Sequence, residues 1–300
     1  MMKTEPIGIV ILNYKTWEKT LACVESIYQN YSGEFQIVIV DNNSPNDSYN
    51  RLTQAFLDKP DVTVVKTERN GGFSYGNNFG FDYIVNNFYN ISKIFITNND
   101  IIFRERTIEN MIGAFAFSEK VIMTAPSVFN IFGERTNAPW KKKPTVMQEI
   151  GLKSCDECAY KWDELKDNLS VYMISGCCFA VDRDKFISIG KFDENVFLYN
   201  EENIFSLKIA RAGLQIIYCP NADILHDHGS TTGNRNVFVD REYVKSTLYF
   251  MKKYEKLSDG QIVLLKLFYV FRILSKKLFG KYSNSSHLFQ SLKIIFSYKI

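Results

Sequence analysis

Two adjacent acids, Glu201-Glu202, are followed about two dozen residues later by His226-Asp227-His228, and Asn98-Asn99-Asp100 stands far upstream of both. Neighbouring residues on a helix do not share a face. Paired acids at a helix start can therefore divide the work, one taking a proton while the other fixes a substrate or caps the helix. The structural alternative is that both merely complement the helix dipole. In extended chain, residues two apart point the same way, so Asn98 with Asp100, or His226 with His228, can converge on one ion. Few protein oxygens, completed by substrate phosphates, suit Mg²⁺ or Mn²⁺, and imidazole favours Mn²⁺ and its transition-metal neighbours. A polar turn and a surface loop are the alternatives. Together these residues describe a base and a metal site for a metal-bound diphosphate.

The elements that must position them follow a regular rhythm. Ile7–Leu12, Phe35–Val40, Val62–Lys66 and Lys93–Thr97 are apolar runs of strand length. Thr16–Gln29, Tyr49–Leu57 and the segment from the Gly-rich turn Arg69–Gly76 to Asn87 are helical in spacing. Strands alternating with helices predict an α/β fold with a mostly parallel sheet and flanking helices. Ligands in such sheets bind beyond the carboxyl ends of the strands. Asp41-Asn42-Asn43-Ser44 lies there, where Asp41 can accept the imide N–H of uracil or thymine and Tyr14 can stack on the base. An Asx turn is the alternative. The turn Gly71-Gly72-Phe73-Ser74-Tyr75-Gly76 is not GxGxxG and no acid follows at the right place, which argues against a nicotinamide cofactor. Thr107–Phe117 is helical, and Asn130–Leu169 is an irregular excursion of the kind that covers a binding site or packs as an insertion. Val171–Val181 reads as one strand-like run, Asn203–Ala212 as a helix closed by Gly213, and Leu214–Tyr218 as a strand stopped by Pro220.

The chain has 300 residues, 46% of them hydrophobic, enough to bury a full core. Its formal charge of +3 is unevenly placed: residues 240–300 hold twelve Lys and Arg against four Asp and Glu, a net of +8, leaving −5 for the rest. No nucleic-acid partner is expected. The six cysteines read as reduced structural thiols, because Cys155-x-x-Cys158 has no second pair to complete a zinc site. The apolar run Ile7–Leu12 is too short for a signal peptide.

The order of these motifs, in VILNYKTWEKTLACVESI (10–27), IVIVDNNSPND (37–47), RNGGFSYGNNFG (69–80), ITNNDI (96–101), SGCCFAVDRDKFISIGKFDENVFLYNEEN (175–203) and ARAGLQIIYCPNADILHDHGST (210–231), resembles the inverting glycosyltransferases of family 2, which have the GT-A fold. The resemblance spans about residues 6–232 and points to the branch containing rhamnosyltransferases of surface-polysaccharide assembly. It implies a nucleotide diphosphate sugar donor, dTDP- or UDP-linked, and a glycan or polyprenyl-linked acceptor. It implies that Asp41 and Asn43 sit with Tyr14 at the nucleobase, and Gly71, Gly72, Phe73, Asn77, Asn98 and Asn99 near the donor. Asn98, Asp100 and His226 are expected at a divalent metal, Mn²⁺ or Mg²⁺. Glu202 falls where the family has the basic Asp of a Glu-Asp pair, with Glu201 beside it. Trp140, Gly176 and Tyr199 are expected on the acceptor side. Four positions depart from the pattern: Asn98 replaces a carboxylate, Glu202 is one methylene longer than Asp, and Ile204 and Lys208 replace a common Asp and Arg.

Two other classes stay open on the sequence. A nucleotide-sugar pyrophosphorylase would carry a Gly-rich basic loop after the first strand, where this chain has Asn13-Tyr14-Lys15-Thr16-Trp17. A non-catalytic glycan- or membrane-binding protein with a degenerate site is the other. Residues 1–239 are expected to form the GT-A domain, and 240–300 a basic, amphipathic helical segment with helices at Tyr243–Tyr254, Gln261–Phe279 and His287–Tyr298. Lys266, Arg272, Lys276 and Lys277 interrupt the second of these, which disfavours a membrane span. An interfacial helix would keep them among headgroups while Leu264, Leu265, Leu267, Phe268, Phe271 and Leu274 enter the boundary. The expected location is cytoplasmic, peripheral on the inner face of the plasma membrane.

Overall fold

A computed structural model describes residues 5–227 and 237–278. The first half alternates as the sequence predicts: β1 (Ile7–Asn13), α1 (Trp17–Asn30), β2 (Phe35–Asp41), α2 (Ser48–Ala55), β3 (Val62–Lys66), α3 (Gly72–Asn87) and β4 (Lys93–Asn98). A short β5 (Ile101–Phe103) and α4 (Thr107–Gly113), continued by a 3₁₀ turn, lead into β6 (Val121–Phe129) and β7 (Arg135–Thr136). After β7 the excursion contains α5 (Val146–Glu149) and two 3₁₀ turns before β8 (Leu169–Val171). Then come β9 (Cys178–Asp182), α6 (Arg183–Ser188), α7 (Glu201–Arg211), β10 (Gln215–His226), α8 (Val237–Lys253) and α9 (Asp259–Leu278).

All ten strands belong to one sheet, whose main path runs β3-β2-β1-β4-β9-β6-β10-β5. β3, β2, β1 and β4 are mutually parallel, as are β6 and β10, while β9 runs antiparallel between β4 and β6. The carboxyl ends of β1, β2, β4, β6 and β10 therefore share one edge. One apolar layer joins α1 and α4 to the sheet through Val24, Ile27, Ile108 and Met111. The other joins α3, α6 and α7 through Phe81, Phe186 and Phe205. Each such side chain contributes on the order of 1.5–3 kcal/mol by leaving water.

Three sequence readings need correction. β6 escapes the periodicity because Thr124, Pro126 and Ser127 interrupt its apolar run, and proline normally argues against an interior strand. Here Pro126 pairs with Cys219, where the β6–β10 register shifts, so the lost ladder bond falls at an irregularity. For the same reason Pro220 does not stop β10, which continues through the bulge to His226. Val171–Val181 is two strands, not one, because residues 172–177 turn away from the sheet around Gly176.

The C-terminal helices form a third core with α5 and α7, in which Leu248, Phe250, Met251, Ile262, Leu265 and Tyr269 pack on Ile150, Val196, Ile204 and Leu207. α8 begins at Val237, ahead of the expected boundary at 240. Leu265 is buried and Phe268 packs against this core, so neither is available to a membrane surface. Val263, Leu264, Leu267 and Phe271 are exposed on the opposite side of α9. Among the described residues no helix is long and apolar enough to cross a membrane. The helix expected at His287–Tyr298, His228 and the Leu274 side chain lie outside what the structure describes.

Candidate active site

The carboxyl ends of β1, β2 and β4 are tied by a buried polar network. Asn13 donates to Asp41 (2.8 Å), Thr20 donates to Asn13 (2.9 Å), and the Ser44 backbone N–H bonds the second Asp41 oxygen (2.8 Å). Asp41 is fully buried, so the solvent-facing groups at this end are half-buried Tyr14 and Asn43. The Asn99 amide turns into the β1–α1 junction, within bonding distance of Asn13, Thr16 and Thr20. It thus anchors the loop that presents Asn98 and Asp100. Asn77 is fully buried, and its amide bonds the Phe73 carbonyl inside α3.

β10 is the partner of β5, pairing His226 with Ile101, and this register delivers His226 beside Asp100. His226 Nε2 lies 3.2 Å from Asp100 Oδ1, and the Asp227 N–H bonds the Asp100 carbonyl (3.0 Å). Burial works against a charge on His226, but Asp100 and Cys177 outweigh it and hold the imidazole up to about 10. Asp100 Oδ1 is buried with no well-formed hydrogen bond among the described residues. One carboxylate oxygen and one imidazole nitrogen at this separation fit adjacent positions on a six-coordinate ion, which bonds of 2.0–2.1 Å place about 2.9 Å apart. No cluster of three or more potential ligands occurs among the described residues, so substrate oxygens would have to complete the shell.

The paired acids open α7, and two consecutive non-glycine residues in the left-handed region, Tyr199 (φ 71°) and Asn200 (φ 63°), deliver the chain to them. The Gly176 N–H donates to Glu202 Oε1 (3.3 Å). A Cβ on Gly176 would stand 2.7 Å from that oxygen, so only glycine permits the approach. Glu201 and Glu202 border a cavity of about 10 Å³ lined by Phe73, Phe179, Phe192 and Phe205. Loss of water raises both carboxyls above the usual glutamate range, Glu201 more strongly because the Glu202 charge adds to it. The Gly176 N–H favours ionised Glu202, whereas Glu201 Oε2 is buried without a partner. Glu202 is the acid better prepared to work as a base.

The loop ahead of the acids is held from two sides. Its Phe197 carbonyl accepts the Phe73 N–H (3.0 Å), and Gly72 (φ 85°) leaves only 2.0 Å between an imagined Cβ and that same oxygen. Asp193 accepts from Tyr249 (2.8 Å) and Tyr254 (2.6 Å), and Asn200 donates to Thr247 (3.1 Å), binding the loop to α8 and its C-terminal end. Tyr199 stacks edgewise on Tyr243. Asn98 is linked to the same region, its N–H bonding the carbonyl of Cys177 (2.8 Å), next to Gly176. Trp140 is half-buried and bridges Ala159 and Met173, the latter three residues before Gly176. Lys208 bonds the Gly190 carbonyl (2.9 Å), and Ile204 is buried in the third core. Asn13 and Cys177 join the site unforeseen. For Asn13 a signal existed, since it ends β1 as Asp41 ends β2.

A profile of the family described as glycosyl transferase family 2 matches residues 8–190. A hexosyltransferase of low-salt glycan biosynthesis, Agl10 of Haloferax volcanii, is 24% identical over 91% of this chain and 86% of its own length. The N-acetylglucosaminyl-diphospho-decaprenol L-rhamnosyltransferase of Mycobacterium tuberculosis is 32% identical over 31% of each chain. The structure of GalNAc-T7 with UDP, GalNAc and Mn²⁺ superposes with a TM-score of 0.63 at 16% identity, over 84% of this chain. This chain spans about half of that protein's length (48%), and the likeness establishes the shared fold.

Proposed function

The chain belongs to glycosyl transferase family 2 and is a glycosyltransferase, and on that premise we propose that it transfers a sugar with inversion from a dTDP- or UDP-sugar to a hydroxyl of a glycan or lipid-linked acceptor. The observation that carries this reading is the placement of Glu202, half-buried, fixed by the Gly176 N–H, and on the same edge as Asp100 and His226. Glu202 removes the acceptor hydroxyl proton as that oxygen attacks C1. The C1–O bond to the diphosphate breaks on the opposite face, which inverts the anomeric centre. A divalent ion, Mn²⁺ or Mg²⁺, held by Asp100 and His226 with Asn98 nearby, would neutralise charge on the departing diphosphate. Tyr14 and the Asp41–Ser44 turn receive the nucleobase, and Gly71, Gly72 and Phe73 lie along the donor. Trp140, Gly176 and Tyr199 border the acceptor. Rhamnose, the sugar named for the mycobacterial relative, is one candidate donor sugar.

The enzyme works at the inner face of the plasma membrane in surface-polysaccharide assembly. Supporting this, α9 exposes Val263, Leu264, Leu267 and Phe271, and the segment 240–300 carries the net +8 described above. An apolar helix face beside basic residues suits an anionic interface.

The test is incubation with UDP- and dTDP-sugars and Mn²⁺, following the released sugar by NMR before it mutarotates. The reading expects the anomer opposite to that of the donor to appear first. Retention of configuration, or no cleavage of any such donor, would refute it.

A further inference from the structure

We propose that Arg104 and Arg135, both lying over the Phe129 ring, form a subsite for an anionic group, phosphate or carboxylate, on the acceptor; this rests on the glycosyltransferase reading above. Arg104 lies 5.1 Å and Arg135 5.4 Å from the centroid of Phe129, and Arg135 is also 5.7 Å from that of Trp162. Neither guanidinium makes an ion pair among the described residues. By contrast, Lys141, Lys142 and Lys143 are paired with Glu164, Glu157 and Glu255. The acid that faces both arginines is half-buried Asp223, whose Oδ1 has no hydrogen-bond partner. Burial opposes its ionisation while the two arginines favour it. Two cations thus confront one hindered carboxyl, leaving net positive charge at the site.

The position suits an acceptor. Phe129 pairs with Arg135 across the β6–β7 ladder and with Leu225, next to His226, across β6–β10. Two residues beyond Arg135, Asn137 reaches Ser175 (3.5 Å), whose neighbour Gly176 donates to Glu202. The platform therefore stands at the His226 end of β10, and the strand that carries Arg135 leads into the segment that meets the Gly176 turn. A guanidinium stacked on a ring keeps its donor edges free, and their planar fork matches the paired oxygens of phosphate or carboxylate. The stacking on Phe129 and the single half-buried Asp223 leave most of the two guanidinium edges unsatisfied by the fold.

The test uses the full chain and three acceptors of one sugar: a short prenyl diphosphate glycan, a uronate glycoside and a neutral alkyl glycoside. In the double variant R104Q/R135Q, KM should rise about ten- to a hundred-fold for an anionic acceptor and less than twofold for the neutral one. The anionic acceptor that suffers identifies the group. Donor hydrolysis by the wild type, which needs no acceptor, checks the glycosyltransferase reading separately. Inorganic pyrophosphate titrated in EDTA gives a readout without catalysis: wild type and Asp100→Ala should bind it alike, and R104Q/R135Q should not. Equal effects on neutral and anionic acceptors, or undiminished pyrophosphate binding by the double variant, would overturn the proposal.

Discussion

Glu201 and Glu202 are adjacent in sequence, yet the fold gives them different surroundings, and their consequences can be separated. Glu202 holds a backbone N–H, while Glu201 Oε2 has none. Burial raises Glu201 above the ordinary glutamate value, so its stabilising contribution is complete below that value and is lost as pH climbs through the raised one. Glu201→Gln should therefore raise Tm near neutral pH relative to acid pH, which thermal melts at several pH values will read. Because Glu202 ionises while Glu201 is still protonated, Glu201→Gln should leave the acid limb of the kcat profile in place. Asp100→Ala should weaken donor binding in Mn²⁺ to the level seen in EDTA, as titration calorimetry can show. Asp41, Asp100, Glu202 and His226 stand out in the sequence by type and spacing, and the fold brings Asp100 and His226 within 3.2 Å of each other. The bracing role of Asn99 and the presence of Cys177 do not stand out, because both depend on contacts between distant strands.

At the scale of elements, the site depends on what approaches Gly176 and the loop before α7. Gly176→Ala should leave the unfolding free energy within about 1 kcal/mol of wild type, because the atom it crowds ends a flexible side chain. It should nonetheless lower kcat at least tenfold by displacing the Glu202 carboxylate, with KM for the donor unchanged. Tyr249→Phe and Tyr254→Phe each remove one bond to Asp193 and should lower stability by about 0.5–1.5 kcal/mol in urea melts. The βαβ half was readable because its strands are mainly apolar and alternate at a regular rhythm with segments of helical length. The β6–β9–β10 half was not, because Pro126 and Pro220 look like terminators and the turn at Gly176 looks like strand when tertiary pairing is invisible. At β6–β10 the sheet accommodates both prolines at one shift in register.

Across the whole molecule, the C-terminal helices serve two surfaces. α8 and the inner side of α9 complete a core with the loop that delivers the acids, while the outer side of α9 faces solvent. Leu264→Asp with Phe271→Asp should abolish pelleting with anionic vesicles and leave Tm unchanged, since both residues are exposed. Salt should weaken pelleting of the wild type, and salt-independent solubility without vesicle binding would remove the membrane from the account. The central claim concerns Glu202, and its most direct test is transfer by Glu202→Gln beside Glu201→Gln, with nucleotide binding measured on each. The account predicts that Glu202→Gln loses turnover by about a thousandfold or more while binding UDP or dTDP with Mn²⁺ as the wild type does, and that Glu201→Gln keeps turnover within about tenfold. Near-normal kcat in Glu202→Gln, with activity abolished in Glu201→Gln, would contradict it.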